Sequence, residues 1–183
     1  MTEYRVSFRY ARAVLNLATQ EGIAEEILSD FKFVSESIKQ SKDLRAFIHS
    51  PVILHLRKKK IINEVFQDKV NKLTLAFILL LTEKGRESLI LSIAYQFEVQ
   101  YNTQFGRLPV EITSANELPE NIKIDITGKI SKWTNKVVLS DFKINKDIIG
   151  GLQLKIDDWV YDSSVRNQLS LLHKQMIENN SLI

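Results

Sequence analysis

The sequence predicts an α+β fold, with an N-terminal six-helix bundle over residues 1–105 and a small β-α-β-β-α lobe over residues 106–183. Up to about Phe105 the apolar residues recur with the 3.6-residue period of helices. After Gly106 they alternate with polar residues, as in half-buried strands. The chain has 183 residues, of which 44% are hydrophobic and 26% charged, which predicts packed cores rather than disorder.

Six helices are predicted in the first part from their apolar stripes and stop signals. The first runs from Thr2 to about Thr19, and Gly22 is expected to end it. Pro51 is expected to end the third helix, and Gly85 the fifth. The stripes of the second to the sixth helix are, in order, Ile27, Phe31, Val34 and Ile38; Leu44, Phe47 and Ile48; Leu54, Ile61, Ile62, Val65 and Phe66; the run from Asn71 to Gly85; and Leu89, Ile93, Phe97 and Tyr101.

The second part begins with a strand over residues 108–112, where apolar and polar residues alternate. Pro119 suits the start of a following helix. The stripe of that helix comprises Ile122, Ile126, Ile130 and Trp133. Because the apolar residues of 122–126 also alternate, a strand remains the alternative there. Residues 137–139 predict the next strand.

Residues 149–169 combine a turn, a hairpin and a helix start. Gly150 and Gly151 predict a sharp turn, because glycine adopts backbone angles that other residues avoid. Residues 152–156 alternate as one strand, and residues 159–161 return as its partner after a tight turn at Asp157-Asp158. The expected cap of the final helix is Asp162, Ser163 or Ser164. The apolar face of that helix comprises Val165, Leu169, Leu172 and Met176.

The first and fifth helices carry more apolar surface than a helix in a bundle usually buries. The first has two adjacent stripes, which comprise Val6, Tyr10, Ala13, Val14 and Leu17, and Tyr4, Phe8, Ala11, Leu15 and Ala18. On the fifth, the apolar residues of 73–81 surround the helix almost completely. Two accounts are open: the fifth helix is central and the others wrap it, or the two helices leave an apolar groove for a partner's amphipathic helix. Both can hold together.

The residue combinations that most catalytic and cofactor sites require are missing. The chain has no cysteine, which excludes thiolate chemistry, and its 6 glycines form no phosphate-binding loop. The histidines His49, His55 and His173 lack the spacing of metal ligands. Asp157-Asp158 fits a hairpin turn better than a carboxylate pair, because adjacent strand residues face opposite ways. We predict a non-enzyme that needs no cofactor or metal.

The charge distribution gives little support for nucleic-acid binding. The net charge is +3, and the densest basic run, Arg57–Lys60, would spread around a helix and mostly face solvent. A basic helical adaptor that binds nucleic acid or a regulatory partner is the alternative function. The longest apolar run, residues 73–81, is shorter than the roughly 20 residues that span a bilayer, and we expect a soluble chain.

Short motifs along nearly the whole chain resemble one family. The matches are Arg9-Tyr10-Ala11-Arg12-Ala13-Val14; Pro51 with Lys60, Ile61 and Ile62; Gly85-Arg86 with Leu89 and Ile93; Ser114-Ala115 with Leu118; and Ile149-Gly150-Gly151 with Asp162-x-Ser164-Val165-Arg166 and Leu169. In this order and spacing they are similar to subunit delta of the rotary ATP synthase, the family of the mitochondrial oligomycin-sensitivity-conferring protein. Two turns depart from the family pattern. Ser163 stands where the family usually has glycine, and residues 145–147 lack the Asp-Pro that the family often has there.

The resemblance implies a non-catalytic stator subunit in the peripheral stalk of a proton-translocating ATP synthase. In the family, the bundle binds the N-terminal helix of an alpha subunit and the C-terminal lobe binds the b subunits, so that rotor torque drives ATP synthesis. We expect the alpha groove to be lined by Tyr10, Val14, Leu17, Phe77, Leu80 and Leu81. We expect the turn of the lobe to be shaped by Gly150, Gly151, Asp162 and Ser164. The resemblance also implies a peripheral position at the cytoplasmic face of the bacterial inner membrane, held only through the complex.

Overall fold

The computed structural model describes residues 2–50 and 53–180. Within these residues the protein has a mixed helical and sheet fold, with eight α-helices and one four-stranded sheet. The chain divides into two compact units, the first Met1–Tyr101 and the second Asn102–Ile183. Over the same described residues, we find no helix whose length and apolar character would let it cross a membrane.

The helices that precede the sheet follow the predicted order. Their bounds are α1 (Thr2–Gln20), α2 (Ala24–Gln40), α3 (Lys42–His49), α4 (His55–Phe66), α5 (Lys72–Glu83) and α6 (Ile90–Gln104). A short 3-10 helix, Glu87–Leu89, leads into α6. Pro51, which the sequence predicts as the end of the third helix, lies outside the described residues.

Two glycines end helices as the sequence predicts. Gly22 follows α1 with φ +73°, and Gly85 follows α5 with φ +65°. After each glycine the next backbone N–H turns back onto the helix: Ile23 donates to the Ala18 carbonyl at 2.9 Å, and Arg86 donates to that of Leu81 at 2.8 Å. This pattern satisfies carbonyls that would otherwise lack partners at the helix end.

The first unit is built around one hydrophobic core. Its aromatic centre is Phe31 of α2, whose ring centroid lies 4.9 Å from that of Phe97 and 6.0 Å from that of Phe77. Helix α5 contributes Phe77, Ile78 and Leu81 to this core, each at most 8% exposed. The fifth helix is therefore largely a core helix, as the first of the two accounts of its apolar surface holds.

A buried ion pair lies in the same unit. Lys58 of α4 bonds to Glu87 in the 3-10 helix, with side-chain exposures of 3% and 6%. Lys58 Nζ also donates to the Ile48 carbonyl at 3.0 Å, so one ammonium joins three segments. The neighbouring Lys59 bonds to Glu83 of α5 at 2.6 Å. The expectation that most of the Arg57–Lys60 run faces solvent holds for Arg57 and Lys60, which are exposed, and fails for Lys58, which is buried.

The second unit contains the sheet, whose strand order is β2-β1-β3-β4. Strand β1 (Arg107–Ser114) pairs in parallel with β2 (Val137–Ile144), and α7 (Glu120–Thr134) connects them. Strand β3 (Leu152–Ile156) is antiparallel to both β1 and β4 (Trp159–Asp162). Helix α8 (Val165–Asn180) follows β4.

The predicted β-α-β-β-α order of this lobe is wrong by one strand. The observed order is β-α-β-β-β-α: the four strands predicted separately at residues 108–112, 137–139, 152–156 and 159–161 are all present, and a 3-10 helix at Lys146–Ile148 lies between β2 and the β3–β4 hairpin. Strand β2 also extends beyond residues 137–139 to Ile144. In its later part Asp141 and Lys143 alternate with Phe142 and Ile144, a strand pattern that the prediction from the apolar run at 137–139 did not include.

Helix α7 covers one face of the sheet. Its Ile126 and Ile130 pack with Leu108, Val110 and Ile112 of β1 in the core of this unit. Of the two structures that the sequence allows for residues 122–126, the helix is confirmed. It begins after Pro119, and Asn135 ends it in the left-handed conformation, with φ 54°.

Candidate partner-binding surfaces

Helices α1 and α5 run antiparallel to each other. The beginning of α5 is held near the beginning of α2, because Asp30 accepts hydrogen bonds from the Asn71 N–H and the Thr74 hydroxyl, both at 2.7 Å. The beginning of α2 follows directly after the end of α1. Just beyond the other end of α5, Arg86 Nη1 donates to the hydroxyl of Tyr10 in α1 at 2.6 Å. The end of α5 therefore lies near the first half of α1.

An apolar stripe runs along the outside of each of these helices. The stripe on α1 comprises Val6, Tyr10, Ala13 and Leu17. The stripe on α5 comprises Leu73, Ala76 and Leu80. At about 100° per residue each stripe spans about 60° of arc, and all seven residues are half-buried or exposed. Because the helices are antiparallel, the stripes flank the Tyr10–Phe77 ring contact on the same side. We call this surface the α1–α5 groove.

The structure divides the six predicted groove residues into two sets. Tyr10, Leu17 and Leu80 lie in the walls, and the exposed fractions of the two leucines are 47% and 44%. Val14, Phe77 and Leu81 are buried in the core and support the walls from beneath. Four wall residues lie outside the predicted six, although their helical spacing carried the signal: Val6, Ala13, Leu73 and Ala76.

Tyr10 is held firmly at one end of the groove. Its ring meets Phe77 edge-on, with the centroids 6.1 Å apart. The guanidinium carbon of Arg86 lies 5.6 Å from the centroid of the same ring, within the range of a cation–π contact. With the hydrogen bond from Arg86, these contacts fix both the ring and the hydroxyl. Tyr10 is therefore a preorganised part of the wall.

In the second unit, the two predicted glycines lie where the chain passes close to itself. Gly151 has φ +77°, and a Cβ there would collide with the Ser163 carbonyl oxygen and lie 3.1 Å from Ser164 Cα. A Cβ at Gly150 would lie 3.2 Å from Val165 Cγ2. The Val165 N–H donates to the Gly150 carbonyl at 2.9 Å, which closes the turn against the start of α8.

Ser164 is the residue that caps α8 among the three that the sequence allows. Its hydroxyl oxygen accepts from the Asn167 N–H at 3.1 Å, and its side chain is buried. Asp162 accepts from the Ser164 N–H at 2.9 Å and from the Gln153 amide at 2.8 Å. Hydrogen bonds from the Ser164 hydroxyl and backbone, with Gln153, hold the pKa of Asp162 below its ordinary value, although burial opposes them. These residues are structural.

The second unit also has an aromatic surface that the sequence analysis missed. An open trough of about 870 Å³ lies between the end of α7 and the β3–β4 hairpin. Leu108, Leu154 and Ile156 are among its apolar lining residues, and its aromatic side chains are Trp133, Trp159 and Tyr161. Trp133 is 80% exposed and Trp159 is 83% exposed, so both tryptophans of the chain face solvent. We call this surface the tryptophan trough.

Helix α8 presents a second apolar surface in this unit. The predicted stripe exists, but its residues are exposed rather than packed against the sheet: Val165, Leu169, Leu172 and Met176. Exposed apolar positions repeated at i, i+4, i+7 and i+11 are typical of a helix that packs on a partner. The signal was present in the sequence, and only the exposure was unknown.

None of these three surfaces has the composition of a catalytic site. In the part of the chain that the structure describes, we find no group of three or more His, Asp or Glu side chains that could hold a metal ion. Asp157 lies in the turn between Ile156 and Trp159, with φ 50°, so the hairpin interpretation of Asp157-Asp158 is confirmed. Both units present exposed apolar side chains.

Comparison with known proteins identifies the family. Residues 6–176 match the family model described as ATP synthase delta (OSCP) subunit. ATP synthase subunit delta of Carboxydothermus hydrogenoformans is 32% identical over 176 residues, which cover 96% of this chain and 99% of that protein. ATP synthase subunit delta of Salinibacter ruber is 33% identical over 178 residues, which cover 97% and 94%.

Solved structures show the same fold. A chain of the mitochondrial ATP synthase hexamer of Toxoplasma gondii superposes with a TM-score of 0.72 at 18% identity, covering 93% of this chain and 97% of that chain. A chain of the Polytomella F-ATP synthase superposes with a TM-score of 0.51 at 22% identity, covering 54% of this chain and 87% of that chain. The chain therefore belongs to the ATP synthase delta (OSCP) subunit family, as a non-catalytic subunit of the peripheral stalk.

Proposed function

We propose that this peripheral-stalk subunit joins two other subunits of the ATP synthase through its two units. Helices α1 to α6 act as one six-helix bundle that binds the N-terminal helix of the alpha subunit in the α1–α5 groove. The second unit, with the lobe that starts at residue 106, binds the b subunits. The link keeps the catalytic hexamer from turning with the rotor, so that rotation is converted into ATP synthesis.

The observation that carries the first half of the proposal is the α1–α5 groove. Two partly exposed apolar stripes flank one side of an antiparallel helix pair, and buried Val14, Phe77 and Leu81 support them from beneath. A groove of this kind binds the apolar face of an amphipathic helix. Its walls extend from Val6 to Leu17, about 17 Å along α1, which matches about three turns of a partner helix.

The second half rests on the surfaces of the second unit. The tryptophan trough and the exposed stripe of α8 both present large apolar side chains to solvent. Exposed aromatic anchors in a concave surface are typical of protein-binding sites. A stalk subunit with two partners needs two separate surfaces, and these two lie in the unit that does not contain the groove.

The proposed position in the cell follows from these contacts. The chain lies at the cytoplasmic face of the bacterial inner membrane and is held there only by other subunits. Neither proposed surface requires contact with lipid. A stator contact must be tight, and nanomolar affinity corresponds to about −12 kcal/mol, which a standard protein interface can supply.

A pair of reciprocal variants tests both halves of the proposal. Leu80→Asp introduces a charge into the wall of the groove, and Trp133→Asp introduces one into the trough. Titration calorimetry then measures binding of a synthetic alpha N-terminal helix and of a soluble b-subunit fragment to each full-length variant. We expect Leu80→Asp to weaken alpha binding at least tenfold and leave b binding unchanged, and Trp133→Asp to do the reverse.

Retained binding of the second partner shows only that the unchanged unit is folded. A wild-type urea midpoint for each variant shows that the substituted unit is folded as well. Wild-type affinity of Leu80→Asp for the alpha helix would refute the groove assignment. Wild-type affinity of Trp133→Asp for the b fragment would remove the trough from the b site.

A further inference from the structure

We propose that the α1–α5 groove recognises an amphipathic helix whose carboxylates cluster at one end, and that this acidic end lies where α1 begins and α5 ends. The inference rests on the proposed function and adds the charge pattern and the placement of the partner helix. It follows from the distribution of charged side chains along the groove, which differs between the two ends.

Basic side chains surround the end of the groove near Tyr10. Arg9 lies beside the wall residue Tyr10 of α1, about 100° around the helix axis from it, on the outer side of the helix. Lys84 and Arg86 follow the end of α5, and all three side chains are exposed. Arg86 keeps a fixed position, because it donates to the Tyr10 hydroxyl through Nη1 at 2.6 Å and lies over the ring. The rest of its guanidinium group can donate to a carboxylate on a bound helix.

Two carboxylates lie at the same end of the groove, and they do not make its net charge negative. Glu83 already bonds to Lys59 of α4 at 2.6 Å, and this contact keeps the pKa of Glu83 below its ordinary value. Glu3 lies two turns before Tyr10 on the same side of α1 and is exposed. Glu3 is one negative charge against three basic side chains, so the rim at this end has a net positive charge.

The opposite end of the groove, near Leu17, has a different balance. Glu21 follows the end of α1, and Glu26 of α2 accepts a hydrogen bond from the Asn71 side chain at 3.2 Å, at the start of α5. Lys72 is the basic residue on α5 at this end. Carboxylates therefore outnumber ammonium groups here, and the groove is basic at one end and weakly acidic at the other. A helix with its carboxylates at one end matches this pattern in only one placement.

The size of the effect follows from the exposure of the rim. A solvent-exposed ion pair changes an equilibrium by up to about fivefold, and such pairs are screened by salt. Two or three pairs at the basic end therefore correspond to about tenfold in affinity at low salt. The apolar walls remain the main source of binding, so the charges select and orient the helix.

Three synthetic helices test the inference. They share length and apolar face, and differ only at three rim positions near one end, which carry Glu, Gln or Lys. By calorimetry with the full chain at low salt, we expect the Glu helix to bind about tenfold more tightly than the Gln helix, and the Lys helix most weakly. At high salt the three affinities should converge to within about twofold.

The variants Arg9→Gln and Arg86→Gln should each reduce the advantage of the Glu helix by roughly threefold. The matched control is Lys39→Gln, which removes one exposed positive charge from α2 but lies about 180° around that helix from Asp30, the residue that faces α5. A spin label on the Glu-bearing end should broaden the amide signals around Arg9 and not those around Leu17.

Equal binding of the Glu and Gln helices at low salt would overturn the inference and leave the groove intact. Broadening around Leu17, or an effect of Lys39→Gln equal to that of Arg9→Gln, would overturn it as well. A different result, in which none of the three helices nor the alpha helix binds, would show that the proposed function itself is wrong.

Discussion

The close approach at Gly151 allows a prediction about the stability of the second unit. In Gly151→Ala the new Cβ collides with the Ser163 carbonyl oxygen and lies 3.2 Å from the Ser163 carbonyl carbon. An L-residue at φ +77° costs about 1–2 kcal/mol from backbone conformation alone. Relief of the collision must also displace Ser163, whose N–H and hydroxyl both bond to the Leu152 carbonyl, at 3.0 and 2.8 Å.

The loss of those bonds adds roughly 1 kcal/mol for each. We therefore expect Gly151→Ala to lower the free energy of unfolding of the second unit by about 3–4 kcal/mol. Gly106→Ala is the matched control in the same unit. Gly106 has φ +61° but nothing within 4 Å of a Cβ, so only the conformational cost of about 1–2 kcal/mol applies.

Tryptophan fluorescence during urea unfolding measures this difference directly. Both tryptophans, Trp133 and Trp159, belong to the second unit, so their emission reports that unit and not the first. With a urea slope of about 1 kcal/mol per molar for a unit of this size, the two midpoints should differ by about 2 M. Coincident midpoints for Gly151→Ala and Gly106→Ala would refute the steric argument.

Two further predictions concern the ionic contacts. Lys58→Met alone should lower the free energy of unfolding of the first unit by about 3–5 kcal/mol, because Glu87 is left as an unpaired buried charge. Adding Glu87→Leu should restore most of this loss, as measured by thermal unfolding followed by circular dichroism. Additive losses in the double variant would contradict the coupling. Asp162 has a pKa below its ordinary value of 3.8, so it stabilises the fold above that pH and the contribution is lost as pH falls through the folded-state pKa. Asp162→Asn should therefore flatten the acid side of the tryptophan-detected stability profile, and an unchanged slope would contradict the assignment.

Helix ends and turns could be predicted from the sequence because their causes are local. Gly22 and Gly85 supply the positive φ angles that end α1 and α5, and each acts on bonds within five residues of itself. Gly151 is required by contact with Ser163, only twelve positions away. In such cases the residue type and its immediate neighbours contain most of the physical information.

The walls of the α1–α5 groove could be predicted only in part. Val14 and Leu17 differ by about 60° around the helix axis, and both belong to the apolar stripe that the sequence shows. One is buried and the other 47% exposed because of where α2 and α5 pack, which is tertiary information. The spacing therefore identified the helix face, and the structure decided which residues on it are accessible.

The tryptophan trough and the buried ion pair could not be predicted from the sequence, because both depend on how distant segments pack together. Trp133 and Trp159 are separated by 26 positions and line the same trough because the sheet places the β3–β4 hairpin beside the end of α7. Lys58 and Glu87 lie 29 positions apart in segments that show no local sign of pairing. The basic run around Lys58 even suggested a solvated surface, since charge alone does not reveal a partner.

The two proposed surfaces differ in how strongly each is tied to the fold of its own unit. The core beneath the groove is buried by packing within the first unit, so exposed wall residues such as Leu17 and Leu80 can change without opening it. In the second unit, Trp159 is paired directly with Ile156 across the hairpin, so it belongs to the trough and to the sheet at once. Trp133 lies at the end of α7, outside the strand pairing. Loss of alpha binding can therefore be separated from loss of folding at most wall positions, whereas in the trough the same separation requires Trp133, since any change at Trp159 also removes a cross-strand contact.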